Sequence, residues 1–176
     1  MKTQQILRTI ITCIFLFILP VVPLADDKAS EFKKINQKYS LTYYSGEITI
    51  EGTFEYSKSN SWQELIYNQV CFFPTDKDRK LIPRDEDDSR SQWFCFKDTQ
   101  QAKNLLGIAE LLENKEVCSV SGITTVRIRN YIVDKAETNT NDKAELVQVI
   151  NKSTIKTKPF LKTKKPSFPG DVECQD

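Results

Sequence analysis

The chain has 176 residues, and its 25 lysines and arginines nearly cancel its 24 aspartates and glutamates, leaving a formal net charge of +1. This balance excludes the strong overall field that draws a protein to nucleic acid or to a membrane. The chain has no histidine, which excludes the commonest general base and every nucleophile–histidine device. We therefore predict that it is not an enzyme, although a hydrolase that uses loop carboxylates is the catalytic alternative.

Residues 1–25 have the pattern of a secretory signal peptide. Two basic residues precede an apolar run at 10–19, and a proline-containing stretch follows and ends at Ala25. The run is shorter than the ~20 residues of a membrane-spanning helix. An uncleaved N-terminal anchor is the alternative. The pattern predicts an exported protein, periplasmic or secreted, whose mature part begins at Asp26.

The mature chain has the length of one domain with a tail, because single domains usually run to ~100–150 residues. Residues 26–42 are predicted to be an N-terminal lead-in, which the spacing of Phe32 and Ile35 indicates to be either a short helix or another ordered segment. The domain itself is assigned to residues 43–151. Residues 152–176 are rich in lysine and proline, which predicts a flexible or extended tail. Such a tail is either simply solvated or in peripheral contact with an anionic surface.

Strict alternation of apolar and polar residues predicts the first strand, between Tyr44 and Tyr56. Gly46 and Gly52 interrupt it, and glycine within a strand often marks a bulge or a sharp bend. The apolar positions are Ile48, Ile50, Phe54 and Tyr56.

Four further strands and one helix are predicted after this strand. The strands are expected at residues 66–73, 92–97, 117–133 and 144–150. The helix is expected between the third and fourth strands, where Asp98 can cap it and Gln101 completes a capping box. Gly107 is a natural end for this helix.

This order of elements, with a long and glycine-bent first strand, resembles the OB-fold, a five-stranded, partly open Greek-key barrel. The predicted fold class is therefore all-β, a β-barrel with one helix between strands 3 and 4. The resemblance covers roughly residues 43–151 and is based on the order of the elements and the bends. It implies a binding site on the face of strands 2 and 3 and on the loops around them.

Alternation within the second and third strands separates a core side from a candidate binding side. The core side is purely apolar, and the other side mixes aromatic and polar residues. Packing against the N-terminal segment or the tail is the alternative role for these aromatics. The expected core residues are Ile66, Val70, Phe72, Phe94 and Phe96, and the expected binding residues are Tyr67, Phe73, Trp93 and Lys97.

Four cysteines remain outside the signal segment, and an even number in an exported chain indicates disulfides, with three pairings open. Zinc is disfavoured because the chain has no CxxC pair and no histidine, and no cofactor is predicted. Cys71 and Cys95 fall on the same mixed face of adjacent strands, which favours a bond between them. Cys118 is then left to hold the tail through Cys174.

Residues 75–91 are predicted to form a solvated loop that carries an acidic block at residues 85–88. The pattern gives the carboxyl pKa values of this loop no evident reason to move, and the spacing does not match an EF-hand calcium loop. Arg127 and Arg129 share one face of the fourth strand. They are expected to form exposed ion pairs with glutamates of the first strand (Glu47, Glu51 or Glu55).

The sequence thus predicts an exported, disulfide-bonded binding module that recognises an envelope protein or a polymer without catalysis. Nucleic acid is a disfavoured partner because the strands lack a dense arginine or lysine stripe. The alternative function is a periplasmic inhibitor or immunity protein that blocks a toxin or a hydrolase through the acidic loop at residues 75–91.

Overall fold

A computed structural model describes residues 31–59, 66–136, 140–160 and 173–175. The signal segment therefore lies outside the described residues. None of the helices in the described ranges is long and apolar enough to span a membrane. These ranges contain seven strands and three short helices: β1 (Lys33–Lys38), β2 (Leu41–Ser45), β3 (Glu47–Ser57), β4 (Val70–Pro74), α1 (Asp76–Arg79), β5 (Phe94–Phe96), α2 (Thr99–Leu106), α3 (Ala109–Glu113), β6 (Val117–Asp134) and β7 (Asp142–Pro159).

The strands form one sheet in the order β1-β2-β6-β3-β4-β5-β7, and β6 also pairs with β7. This additional pairing closes β3, β4, β5, β7 and β6 into a ring. All neighbours in the ring run antiparallel except β5 and β7, which are parallel. The predicted all-β class is confirmed. Outside the ring, β1 and β2 form a hairpin that is paired to it through β2 and β6.

Alternation in β3 places its apolar residues inside the ring, as predicted. Ile48, Ile50, Phe54 and Tyr56 are all buried. Gly52 also faces inward, and a Cβ atom at this position would lie 2.4 Å from the carbonyl oxygen of Phe73 on β4. Such a distance is far below van der Waals contact, so the close approach of β3 to β4 requires glycine here.

Of the two alternatives for the polar lead-in, a short helix or another ordered segment, the structure shows the second, as strand β1. Residues Lys33–Lys38 are all exposed and pair only with β2, so β1 is an edge strand. Tyr39 forms the turn with a positive φ of 53°. The cross-strand hydrogen bonds of the hairpin thus prevail over a weak helical spacing that has only one apolar pair.

Helix α2 begins and ends where the capping residues predict. The Asp98 carboxylate accepts a hydrogen bond from the Gln101 backbone N–H at 2.9 Å, and Gly107 ends the helix in the left-handed conformation. Ala102 and Leu106 are the buried residues of α2. They join a core that also contains the four predicted residues Val70, Phe72, Phe94 and Phe96.

The last strand is longer than predicted, because β7 continues past Asn151 to Pro159 and pairs with the first half of β6. The beginning of the predicted tail is therefore part of the sheet. Further along, Phe160 forms an isolated β-bridge with Cys174, and the predicted Cys118–Cys174 disulfide is present. Residues 161–172 lie outside the described residues.

Candidate binding face

The adjacent strands β4 and β5 carry a disulfide on the outer surface of the ring. Cys71 lies opposite Cys95, and Phe72 lies opposite Phe94. Because successive side chains of a strand point to opposite faces, the two phenylalanines enter the core and the two cysteines face outward. The predicted Cys71–Cys95 disulfide is present, and both cysteines are fully buried. Other side chains must therefore cover this bond.

Phe73 and Trp93, which we call the aromatic pair, provide this cover. Their rings are stacked, with centroids 5.4 Å apart and an interplanar angle of 16°. Together with Ile66 they pack against the two cysteines in a small cluster separate from the main core. Both aromatic residues are half-buried, so part of each remains accessible from outside. The structure brings these two predicted binding residues together on a fixed support.

Tyr67 does not lie on the β4 ladder. Asn68 has a positive φ of 54°, and a turn joins Gln69 to Ile66. This turn breaks the alternation before β4 begins at Val70, so Ile66 packs on the disulfide rather than in the main core as predicted. Tyr67 forms an isolated parallel bridge with Ser57 and is 43% exposed.

Lys97 is held by a polar cluster at the far end of β5. Its ammonium lies 3.3 Å from the carboxylate of Glu145, which also accepts hydrogen bonds from Arg129 at 3.0 Å and Asn130 at 2.9 Å. Burial alone would raise the pKa of Glu145, but these three donors hold it below its usual value. Lys97 therefore forms an ion pair within the protein, and the negative charge of Glu145 balances its positive charge.

The two arginines of β6 are expected to pair with glutamates of β3, and this is confirmed for Arg127 only. Arg127 forms an ion pair with Glu47 of β3 at 3.5 Å. Arg129 instead pairs with Glu145 of β7, because Glu145 is its direct partner across the β6–β7 ladder. β6 lies between β3 and β7, and the sequence-based prediction considered only β3 as its neighbour.

A half-buried lysine beside the disulfide was missed by the sequence interpretation. Lys143 lies opposite Cys95 in the parallel β5–β7 ladder and donates a hydrogen bond to the Gln69 side chain. Burial lowers the pKa of Lys143. The alternation of β7 could have predicted this position, since Ala144 and Leu146 define the inner face of the strand and Lys143 therefore lies on its outer face.

The largest difference from the sequence-based prediction is a buried ion network, made up of Arg84, Asp88, Arg90, Tyr131 and Asp142. The Asp142 side chain is 1% exposed, forms an ion pair with Arg84 at 2.7 Å and accepts a hydrogen bond from the Tyr131 hydroxyl at 2.7 Å. Asp88 pairs with Arg84 at 3.0 Å and with Arg90 at 2.8 Å. The network attaches the loop at residues 75–91 to the ring.

The prediction of a solvated acidic loop with ordinary carboxyl pKa values is therefore wrong for the burial of Asp88 and for the pKa values of Asp85 and Asp88. Hydrogen bonds from Arg90, together with those from Arg84, hold the pKa of Asp88 well below its usual range. A hydrogen bond from Lys135 lowers the pKa of Asp85. In contrast, burial raises the pKa of Asp142. Short α1 also lies within this loop. Asp85, Glu86 and Asp87 are exposed, so Asp88 is the member of the block at residues 85–88 that is withdrawn from solvent.

The described residues contain no group of three or more metal-ligating side chains. The geometry of the outer face instead offers apolar and aromatic contact area with a few fixed charges around it. No family model, no curated protein and no solved structure matches the chain. The two disulfides, however, indicate an oxidising compartment.

Proposed function

We propose that the chain is an exported OB-fold binding module that recognises an envelope protein or a polymer, without catalysis. The observation that carries this proposal is the aromatic pair of Phe73 and Trp93, stacked on a buried disulfide and accessible on its outer side. Aromatic rings held in one position lose little conformational entropy when a partner binds, and they supply a large contact area.

The arrangement of strands supports the OB-fold assignment. Five strands form the ring, β3 is long and carries Gly52 where it closely approaches β4, and the α2–α3 pair lies between the third and fourth strands of the ring. In this assignment β4 and β5 are strands 2 and 3, whose outer face is the usual binding face of the fold. The aromatic pair lies on that face. The second helix and the β1–β2 hairpin are additions to the simplest form of the barrel.

The distribution of charge supports binding rather than catalysis. General acid–base catalysis needs a group whose pKa lies near the working pH, and histidine, the usual provider, does not occur in the chain. The most perturbed carboxylate, Asp88, is paired with two arginines and is held ionised.

The proposal is tested with the mature protein, Asp26–Asp176, cross-linked in native envelope extract beside two variants. Trp93→Leu keeps an apolar cover over the disulfide but removes the flat ring, and Tyr39→Leu makes the same change at an exposed aromatic residue on the β1–β2 turn. We expect one partner to be captured by the wild type and by Tyr39→Leu and lost by Trp93→Leu, with all three proteins showing closely similar urea unfolding. Equal capture by all three would contradict a site at the aromatic pair.

The alternative function, inhibition of a toxin or hydrolase through the acidic loop, is less well supported by the charges. Asp88 is buried in the ion network, and Asp85 forms an ion pair with Lys135 at 2.6 Å. Within the acidic block, Glu86 and Asp87 are the more weakly held exposed acids, although Asp87 lies 3.6 Å from the Lys135 ammonium. Charge reversal at these two residues would abolish inhibition if this alternative is correct, and it would leave the Trp93-dependent capture unchanged.

A further inference from the structure

The aromatic pair is the end of a longer row that crosses three strands of the outer surface, β4, β3 and β6. Phe73 lies directly opposite Thr53 in the β3–β4 ladder, and Thr53 lies directly opposite Ile123 in the β3–β6 ladder. Directly opposed side chains of antiparallel strands have Cβ atoms about 4.5–5.5 Å apart. Trp93, Phe73, Thr53 and Ile123 therefore form a continuous row, which we call the apolar row.

Ile123 is the most accessible end of this row, and the core does not require it there. It is 55% exposed, whereas the neighbouring residues of β6 on the inner face, Gly122 and Thr124, are buried. A single exposed aliphatic residue is normal on a protein surface, but one that extends an apolar patch indicates an interaction surface. Ile123 extends the patch that begins at the aromatic pair.

Two glutamates of β3 flank the row, one on each side of Thr53. Glu51 and Glu55 point outward, and their direct partners on β6 are Thr125 and Ser121. Neither glutamate forms an ion pair within the described residues, whereas Glu47 on the same face pairs with Arg127. The carboxylates beside the row thus lack the cross-strand cation that the third glutamate has.

We propose that the apolar row binds a segment of a partner protein that combines apolar side chains with lysine or arginine. The apolar side chains would lie along Phe73, Thr53 and Ile123, and the basic ones would pair with Glu51 and Glu55. A polymer of neutral sugars could donate hydrogen bonds to these carboxylates but would leave their charge uncompensated, and an anionic polymer or lipid surface would be repelled by them. This inference rests on the proposed function, because it names the partner class for the same face and extends that face to β6.

A random library of twelve-residue peptides displayed on phage tests the inference without knowledge of the natural partner. The mature protein is the bait, and the selected peptides are then measured by fluorescence anisotropy against four variants. Ile123→Ala and the double variant Glu51→Gln/Glu55→Gln change the row and its flanks. Ile35→Ala is the matched control for an exposed strand isoleucine, since Ile35 is 65% exposed on β1. Trp93→Leu tests the aromatic pair itself.

We expect the selected peptides to be enriched in lysine or arginine together with apolar residues. Binding should weaken at least fivefold for Ile123→Ala and for the glutamine double variant, weaken further with added salt, and stay unchanged for Ile35→Ala. Loss of binding in Trp93→Leu with unchanged binding in the Ile123 and glutamate variants would overturn the extended row but leave the proposed function intact. Unchanged binding in all variants, or no selection at all, would overturn the extended row. Neutral or acidic selected peptides would overturn the partner chemistry.

Discussion

Removal of the Asp142 charge should destabilise the protein strongly, because this carboxylate is the centre of the buried ion network. The Tyr131 hydroxyl and the Asp134 backbone N–H donate to different oxygens of Asp142, so the single oxygen of Asp142→Asn keeps only one of these two hydrogen bonds. The variant also loses the negative charge that balances Arg84. The network would then contain two guanidinium groups, those of Arg84 and Arg90, and one carboxylate.

The size of the effect follows from burial. Breaking a buried ion pair by removing one partner costs about 3–5 kcal/mol, because the other charge stays buried and uncompensated. Asp88 still contacts both arginines, so we expect the lower end, about 3 kcal/mol in the free energy of unfolding. That corresponds to a shift in the folding equilibrium of roughly a hundredfold.

Urea unfolding at neutral pH with intact disulfides measures this cost. The matched control is Asp76→Asn, which removes the same charge from an exposed ion pair with Arg79 and should cost less than about 1 kcal/mol. In a double-mutant cycle, Arg84→Met combined with Asp142→Asn should be less destabilising than the sum of the single changes. If Asp142→Asn and Asp76→Asn destabilise the protein equally, the network does not have the energetic role assigned to it.

Three further predictions concern the pH dependence, the tail and Gly52 of β3. The pKa of Asp88 is lower in the folded protein than the unfolded value of about 3.9, so its stabilising contribution is present above that value and is lost as the pH falls below about 4. Asp88→Asn should therefore show a shallower loss of stability than the wild type between about pH 4 and pH 2 in urea titrations, and an unchanged slope would contradict the pairing. Replacing both Cys118 and Cys174 by alanine should lower the free energy of unfolding by about 4 kcal/mol, the loop-closure value for their sequence separation of 56, and should speed proteolysis of the tail. Gly52→Ala should destabilise by about 1–3 kcal/mol through overpacking against the Phe73 carbonyl, while Thr53→Ala beside it should have a small effect on thermal unfolding.

Much of the ring could be predicted from the sequence, because its signals are local. The alternation of β3 and the cap of α2 at Asp98 depend on residues that are neighbours along the chain, and both are confirmed. The two disulfides are confirmed as well. Their prediction needed one piece of topology, namely that the strands carrying Cys71 and Cys95 are adjacent, and the resemblance supplied it.

The ion network could not be predicted, because its members come from three distant parts of the chain. Nothing in the local sequence around Asp142 indicates that Arg84 folds onto it, and a run of acidic residues ordinarily marks a solvated loop. The misplacement of Ile66 has a different cause. Alternation assigns faces correctly only while the strand is continuous, and the left-handed Asn68 ends that continuity before β4 begins.

The Cys71–Cys95 disulfide and the proposed binding face depend on each other in this fold. An outward-facing disulfide between directly paired strand residues leaves sulfur and backbone to be covered from outside, and the aromatic pair covers them. The disulfide in turn supports Phe73 and Trp93 from beneath, so the position of the aromatic pair depends on the disulfide. Reduction of Cys71–Cys95 should therefore loosen the aromatic pair and weaken partner binding, even where the main core of the ring stays folded. A face built in this way works best in the oxidising compartment that the disulfides themselves indicate.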